Sequence, residues 1–340
     1  MPQPPCPPSE MLALLRGVSR SFYLSIRILP AALRRPVAVA YLLARAADTV
    51  ADTARLPGPE RRAHLETLAQ TIEGRTPRVA AETLSQSFGR LQDDAHEREL
   101  ILGLSKCLGW LESLDRDDSE DVRRVLRHII QGQRLDLDRF ELKLAPGALS
   151  TAAQLDEYTY LVAGCVGEFW TELGFRHLPA FASLPRQQMR ELGRGYGMGL
   201  QLVNILRDAG ADLAAGRCYF PADELAAAGI EARDIASKPD RFEPVWQRWQ
   251  AQAQRGLDLG IRYADAVNSR RVRAASALPA LLGNRTLALL RLAGPGRLQH
   301  KVKMPRREVR QVMGRLAFTL AARTPLRESY HRLGWDNRRP

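Results

Sequence analysis

The sequence lacks the features of membrane-spanning, disulfide-bonded and nucleotide-loop proteins. No apolar run reaches the roughly 18 residues that a membrane span needs, because Asn284, Arg285 and Arg291 interrupt the apolar stretch 277–293. The four cysteines have no CxxC spacing, which predicts reduced thiols and a cytosolic compartment. There is no GxSxG, no Walker loop, no GxGxxG after a strand, and no HExxH or HxxxH pattern. These absences disfavour α/β-hydrolase, P-loop and zinc-enzyme chemistry.

β-branched alternation of the strand type is also nearly absent, whereas the helix formers alanine, leucine and arginine are abundant. The pattern predicts an all-α, single-domain helical bundle. The predicted helices lie near 10–17, 36–54, 59–74, 79–92, 97–113, 119–139, 150–175, 185–213, 240–268, 277–292 and 306–322.

Two acid pairs on apolar helical segments are the most informative feature that the sequence does contain. Asp48 and Asp52 form the first DxxxD, and Asp208 and Asp212 form the second. A spacing of i and i+4 brings both acids of a pair to one helix face. Acids in apolar surroundings are costly unless a cation meets them, and Mg²⁺ that bridges to substrate phosphates fits four carboxylates. A single DxxxD would more often be an ordinary solvated helix end, but two copies are far more specific.

The positive charge of the chain is concentrated at its C-terminal end. From 268 onward there are 17 Lys and Arg against three acids, whereas the rest of the chain carries 33 against 35. A basic region of this kind is typical of contact with anionic lipid or a phosphorylated ligand, or simply of a solvated arginine-rich face. Nucleic acid is the least favoured partner, because no binding motif accompanies the charge.

The ends of the chain differ in composition from its centre. The first residues, 1–9, are proline-rich without a basic start or apolar centre, and we expect a disordered lead rather than a signal peptide. The synthase-like region is expected over 10–322, and 323–340 is expected to be a basic tail. The expected location is cytoplasmic, with peripheral contact at the inner face of the membrane.

Two longer segments around the acid pairs carry a resemblance to a known family. The first, 41–52, reads YLLARAADTVAD, and the second, 201–212, reads QLVNILRDAGAD and continues to RCYFP at 217–221. Both resemble the aspartate-rich helices of squalene and phytoene synthases, which are head-to-head prenyl diphosphate synthases. The resemblance runs from about 19 to 313. It implies an isoprenoid-synthase-type bundle with a central apolar cavity.

The resemblance also implies roles for individual side chains. It implies Mg²⁺ ligation by Asp48, Asp52, Asp136, Asn204, Asp208 and Asp212. It implies diphosphate contacts from Ser19, Ser21, Phe22, Tyr41, Arg45, Asn204, Arg207 and Arg217. Tyr158 occupies the place of the family's important tyrosine and is expected to assist a proton loss. Each arginine could instead form a structural salt bridge, and the sequence leaves this open.

Small residues near these segments admit two interpretations. They would either leave room for a long apolar tail or form tightly packed helix seams. The residues concerned are Ala44, Ala47, Ala163, Gly164, Gly167 and Gly199.

Within the family, the segment 302–309 favours the squalene synthases. Lys303 and Arg306 match in charge a basic loop that is associated with NADPH in those enzymes, whereas Pro305 and Arg307 depart from it. The implied reaction joins two farnesyl diphosphates through presqualene diphosphate and reduces the product to squalene. The alternatives are phytoene or dehydrosqualene synthesis, arrest at presqualene diphosphate without reduction, or an inactive homologue that serves as an assembly or membrane-associated factor.

Overall fold

The computed structural model describes residues 9–19, 22–53, 55–140, 147–322 and 326–334. The predicted site residue Ser21, residues 1–8 of the predicted lead, and 323–325 and 335–340 of the predicted tail lie outside the described residues. The contacts within the chain divide it into two compact units. The first comprises 1–138 and 172–179, and the second comprises 139–171 and 180–340. The predicted domain boundaries of 10–322 stay a prediction.

The first unit is built from helices around an aliphatic core. Its helices are α1 (Ser9–Val18), α2 (Phe22–Ile28), α3 (Ala31–Asp52), α4 (Gly58–Ile72), α5 (Arg78–Gly89), α6 (Ala95–Leu102), α7 (Leu104–Glu112) and α8 (Arg116–Phe140), the last of which ends in the second unit. Leu42 and Leu43 of α3 and Phe88 of α5 are fully buried. Burial of this apolar face is what makes α3 a fixed support for its polar residues.

The second unit is also mainly helical and has the more aromatic core. Its elements are β1 (Gly147–Leu149), α9 (Ala152–Thr159), α10 (Cys165–His177), α11 (Arg186–Ala214), β2 (Arg217–Pro221), α12 (Ala222–Ala227), α13 (Pro239–Ala266), α14 (Arg270–Ala293), α15 (Arg306–Ala322) and α16 (Leu326–Gly334). The strands β1 and β2 pair in parallel. Phe220, Phe242 and Trp246 pack together, with centroids 4.8 Å apart for the two phenylalanines.

The all-α fold is confirmed, and the structure refines the predicted helix boundaries. The helix that was predicted from 36 begins at Ala31, directly after Pro30. Pro36 lies in the second turn of this helix and does not interrupt it. The helix that was predicted over 97–113 is interrupted at Gly103, which ends α6 and begins α7. Three short helices, α2, α12 and α16, were not predicted. The two strands were not predicted either.

The helix α16 changes the interpretation of the predicted basic tail. Leu326 and Tyr330 of this helix are buried, and the Tyr330 hydroxyl donates a hydrogen bond to Asp258 at 2.7 Å. The side-chain amide of Asn284 donates to the Tyr330 carbonyl at 2.6 Å. This part of the tail is therefore a packed helix of the second unit. Among the described residues, no helix combines the length and apolarity that a membrane crossing requires.

A buried ionic cluster stabilises the first unit at the start of α8. Arg176 donates hydrogen bonds to Asp118 at 2.8 Å and to Asp121 at 2.5 Å, and His177 Nε2 lies 2.7 Å from an Asp118 oxygen. Burial alone would raise the pKa of Asp118, but the contacts with His177 and Arg176 outweigh it and hold that pKa below its usual range. The stabilisation from this carboxylate is therefore present above the ordinary aspartate pKa of about 3.9 and is lost as the pH falls below it.

We expect Asp118→Asn to lower the free energy of unfolding at pH 7 by about 2 kcal/mol. The expected loss is below the roughly 3–5 kcal/mol of fully buried pairs, because the Arg176 side chain is 30% exposed. Urea unfolding at pH 7 and near pH 3 measures it, and the difference from wild type should shrink at the lower pH. The matched control is Asp93→Asn, which breaks the exposed Arg55–Asp93 pair and should cost no more than about 1 kcal/mol. Equal losses for the two variants would contradict the prediction.

Candidate active site

The first acid pair lies at the C-terminal end of α3. Asp48 is half-buried and Asp52 is exposed. The side-chain amide of Gln133, on α8, donates a hydrogen bond to Asp48. Burial and then the neighbouring charge of Asp52 raise the pKa of Asp48 to about 7. The charge of Arg45 and the hydrogen bond from Gln133 lower this pKa, but they do not outweigh the burial of Asp48.

Asp136 belongs to the same region of the first unit. It is three residues after Gln133 on α8, so both side chains share one helix face. Asp136 is only 9% exposed. The structure thus brings this predicted metal ligand to the helix face that contacts Asp48, and its role as a ligand stays a prediction.

The aromatic and hydroxyl residues predicted to contact a diphosphate cluster near the start of α2. Phe22 and Tyr41 stack with ring centroids 5.0 Å apart, and the Ser19 hydroxyl accepts a hydrogen bond from the Tyr23 amide at 3.1 Å. Burial raises the pKa of Tyr41 above that of an ordinary phenol. Arg45 forms an ion pair with Glu97 of α6, and its positive charge also lowers the pKa of Asp48.

The second acid pair, on α11, is surrounded by cations. Arg207 forms an ion pair with Asp208, and Lys301 Nζ lies 3.6 Å from an Asp208 oxygen. Arg217 donates to Asp212 at 3.3 Å. The salt-bridge alternative for Arg207 and Arg217 is thus realised within the second unit. Both guanidinium groups are about one third exposed, so they keep access to an anionic ligand.

Asn204 lies one turn before Asp208 on the same helix. Its side chain is exposed, and its amide donates to the Gln201 side chain at 3.3 Å. The amide oxygen of Asn204 is a neutral donor of the kind that magnesium accepts.

A glycine turn connects the second acid pair to an aromatic cluster. α11 ends at Ala214, and Gly216 adopts a left-handed φ of 80°, a frequent helix termination. The chain then enters β2, where Tyr219 stacks on Tyr158 with ring centroids 5.0 Å apart and hydroxyl oxygens 3.5 Å apart. Tyr158 is only 7% exposed. The predicted catalytic tyrosine is therefore oriented by a second tyrosine.

The helix that carries Tyr158 contains a local irregularity. α9 continues into a π-helical segment, Tyr160–Gly164, before α10 begins. Such π-bulges are frequent at functional sites, because they redirect side chains within an otherwise regular helix. Tyr158 lies two residues before this irregularity.

The predicted small residues of the second unit form helix contacts rather than open space. An added Cβ on Gly199 would lie 2.6 Å from the Cα of Gly256, and one on Gly167 would lie 1.9 Å from the carbonyl oxygen of Gly193. Glycine is required at these positions, because the backbones of α10, α11 and α13 approach too closely for any side chain. For Gly167 and Gly199 the packed-seam interpretation is therefore the correct one.

The structure adds partners that the sequence motifs do not indicate. Gln133, Tyr219 and Lys301 were visible near the motifs, but nothing local indicated that they contact Asp48, Tyr158 and Asp208. The two predicted nucleotide contacts, Lys303 and Arg306, are exposed. Within the described part of the chain they form no ion pair.

The donor set of the acid pairs fits a hard divalent cation. Within either unit, the described residues contain no group of three His, Cys, Asp or Glu side chains that forms a ready-made metal cluster. Magnesium, however, is usually bound by one or two carboxylates together with substrate phosphates. The raised pKa of Asp48, caused by burial and by Asp52, marks a negative charge that such a cation would relieve.

Comparison with solved structures defines the fold class. The complex of TcSQS with the ligand E5700 matches with a TM-score of 0.72 at 20% identity, over 96% of this chain and 95% of that chain. A dehydrosqualene synthase in complex with a ligand matches with a TM-score of 0.64 at 21% identity, over 92% of this chain and 96% of that chain. The fold is that of the all-α squalene synthases.

Sequence comparison then identifies the family. The family model described as squalene/phytoene synthase matches residues 15–308, and the chain belongs to this family. The members are head-to-head prenyltransferases that use a divalent metal with diphosphate substrates.

Individual relatives differ in how much of their length corresponds to this chain. The phytoene synthase of Thermus thermophilus is 29% identical over 93% of this chain and 94% of its own length. The bifunctional lycopene cyclase/phytoene synthase of Phaeosphaeria nodorum is 28% identical over 69% of this chain, which spans 38% of that relative's length.

Proposed function

We propose that this protein joins two farnesyl diphosphate molecules head to head and reduces the product to squalene. The observation that carries the proposal is the pair of carboxylate sites with their different partners. In the first unit Asp48 meets the amide of Gln133 and the charge of Arg45, and in the second unit Asp208 and Asp212 meet Arg207, Arg217 and Lys301. Ionisation of an allylic diphosphate needs carboxylates that can hold a divalent cation and cationic side chains that can bind phosphate oxygens.

The proposed reaction has two stages. In the first, the C–O bond of one farnesyl diphosphate breaks, and diphosphate leaves. The double bond of the second molecule attacks the allylic cation, and loss of a proton closes a cyclopropane ring, which gives presqualene diphosphate. In the second stage this intermediate loses its own diphosphate, rearranges and accepts a hydride from NADPH to give squalene.

The residues of each acid pair have distinct proposed tasks. Asp48, Asp52, Asp208 and Asp212 would hold magnesium, with Asn204 and Asp136 as further ligands. When bound, magnesium would supply Lewis-acid stabilisation of the departing diphosphate. Arg207 and Arg217 would exchange their carboxylate partners in part for diphosphate oxygens, because guanidinium groups bind both anions through the same hydrogen bonds. Ser19, Ser21, Phe22, Tyr41 and Arg45 would contact a diphosphate.

Tyr158 is the proposed proton-transfer residue. Its hydroxyl lies 3.5 Å from that of Tyr219, so the two phenols can relay or orient a proton while their rings face a carbocation. Released diphosphate would act as the final base. Neither phenol is a strong nucleophile that would trap the cation.

Synthesis of phytoene from geranylgeranyl diphosphate is the second candidate. It is favoured by the similarity to the Thermus thermophilus phytoene synthase over nearly the full length of both chains. One experiment separates the candidates. The purified protein is incubated with Mg²⁺ and either farnesyl or geranylgeranyl diphosphate, with and without NADPH, and the lipid products are identified. Squalene only with NADPH supports the first candidate, phytoene the second, and no product under any condition the inactive-homologue alternative.

We expect Asp48→Asn and Asp208→Asn each to reduce turnover of the accepted prenyl diphosphate at least about a hundredfold. Loss of about 3 kcal/mol of charge stabilisation in the transition state has this effect. Initial rates over a range of Mg²⁺ concentrations measure it. Asp93→Asn, a change at an exposed residue of the first unit, is the control. A wild-type rate in either site variant would remove that pair from the metal assignment.

We expect Tyr158→Phe to slow formation of the cyclopropyl intermediate while substrate binding stays close to that of wild type. The change removes one hydroxyl and keeps the ring that stacks on Tyr219. Single-turnover measurements with labelled farnesyl diphosphate test this, and Tyr160→Phe is the matched control on the next residue but one. Equal rates for Tyr158→Phe and wild type would assign Tyr158 to packing.

The exposed basic residues Lys303 and Arg306 are proposed to contact the phosphates of NADPH. We expect their combined replacement by glutamine to raise the NADPH requirement and to divert product toward presqualene diphosphate, with the first condensation unchanged. Product analysis at limiting NADPH measures this. Normal squalene formation under those conditions would contradict the nucleotide role.

The wider arginine surface is proposed to contact an anionic membrane, into which a water-insoluble product would be delivered. Arg332→Gln serves as the comparison variant, because Arg332 is an exposed residue of α16 whose ion pair with Glu328 lies within the same helix. It should weaken binding to anionic vesicles in a salt-sensitive way and leave the NADPH requirement unchanged.

A further inference from the structure

A short turn contacts the helix of the second acid pair between its two acids. The turn is the 3₁₀ segment Gly294–Leu298, which follows α14. The carbonyl oxygen of Leu298 lies only 2.0 Å from the position that a Cβ on Gly210 would occupy. Gly210 lies midway between Asp208 and Asp212, so the backbone of the turn rests directly on this part of α11. A side chain at Gly210 would displace the turn.

The chain that leaves this turn brings a cation to the same acids. Residues 299–305 have no regular secondary structure. Within them, Lys301 extends to 3.6 Å from an Asp208 oxygen. An exposed lysine on irregular chain would sample many positions on its own. Its position relative to Asp208 therefore depends on how firmly the preceding turn is held.

Arg297 holds the turn through a buried contact with α13. It is 5% exposed, forms an ion pair with Glu243, and its guanidinium carbon lies 4.1 Å from the centroid of the Trp246 ring. Glu243 and Trp246 are three residues apart, on one face of α13. Trp246 is itself fully buried. Glu243 pairs with the positive charge of Arg297, and the Trp246 ring restricts the orientation of its planar guanidinium group.

Burial of an arginine is costly, so a position that keeps one must gain from the contacts it makes. We propose that Arg297 is a positioning residue for the second acid pair. Through Glu243 and Trp246 it fixes the turn Gly294–Leu298 against Gly210, and it thereby sets the distance between Lys301 and Asp208. The ligand concerned is a diphosphate with its divalent cation, so the inference rests on the proposed function.

The test uses the full-length protein with Arg297→Gln and, separately, Glu243→Gln. The second variant removes the same ion pair from α13, and it keeps the proposal testable if Arg297→Gln fails to fold. Hydrogen exchange by mass spectrometry should show faster exchange in peptides that cover 294–303 for both variants. Calorimetric titration with Mg²⁺ and inorganic pyrophosphate should show about tenfold weaker binding, the size of effect that outer-shell partners of metal ligands usually have.

Two comparisons separate positioning from a merely structural role. Arg176→Gln removes the ion pairs of an arginine with the buried Asp118 and Asp121 of the first unit, so it should lower stability without changing exchange in 294–303 or pyrophosphate affinity. Arg297→Lys keeps the charge for Glu243 but loses the planar group over Trp246, and it should recover part of the affinity. In steady-state assays Arg297→Gln should raise KM for the prenyl diphosphate and leave kcat unchanged, as expected for lost ground-state positioning.

The outcomes distinguish this proposal from the proposed function. If the wild-type protein binds Mg²⁺ and pyrophosphate, and both variants bind them with unchanged affinity, the positioning role of Arg297 is overturned. Faster exchange in 294–303 with unchanged affinity overturns it as well, because the turn would then matter only for stability. If the wild-type protein neither binds pyrophosphate nor converts a prenyl diphosphate, the proposed function fails, whatever the variants do.

Discussion

Repulsion between neighbouring carboxylates is the constraint on which the candidate site depends, and the structure meets it differently at each pair. At Asp48, burial together with the charge of Asp52 raises the pKa to about 7, although the charge of Arg45 and the Gln133 amide each lower it. At Asp208 and Asp212 the partners are Arg207, Arg217 and Lys301. The carboxylate of Asp48 is thus costly to ionise in its buried surroundings, whereas Asp208 and Asp212 are paired directly with cationic side chains of their own unit.

Close backbone contact supplies the rigidity that such an arrangement needs. α11 approaches α10 and α13 at glycines where no side chain would fit, including Gly199 against Gly256. A helix held at van der Waals contact along its length cannot shift to relax the repulsion between its own acids. At Gly210, too, there is no room for a side chain, because the turn Gly294–Leu298 contacts the helix there. The glycines of α11 therefore allow the close contacts that hold the acids in place, although glycine lowers the intrinsic helix propensity.

Sequence patterns predicted the features that depend on local order. The all-α class followed from composition, and the position of the acid pairs on helices followed from their spacing and surroundings. Contacts between distant segments could not be predicted in this way. Glu97 as the partner of Arg45, Gln133 beside Asp48 and Tyr219 on Tyr158 are separated by 52, 85 and 61 residues. No local periodicity encodes such pairs. Helix α16 was missed for a related reason, because the hydrogen bonds of its Tyr330 join it to residues of α13 and α14 that are 46 to 76 positions away in the sequence.

The basic C-terminal region shows why a net charge is a poor guide to function until its charges are located. Arg285 and Arg297 are buried and paired with Glu308 and Glu243, so they contribute to folding rather than to an exposed field. Lys303 and Arg306 are exposed and remain available to an anionic ligand. The basic region therefore contains both buried arginines that stabilise the fold and exposed cations that are candidate ligand contacts. An anchored backbone makes the exposed charges effective, because a cation held in place loses less conformational entropy when it meets its anion.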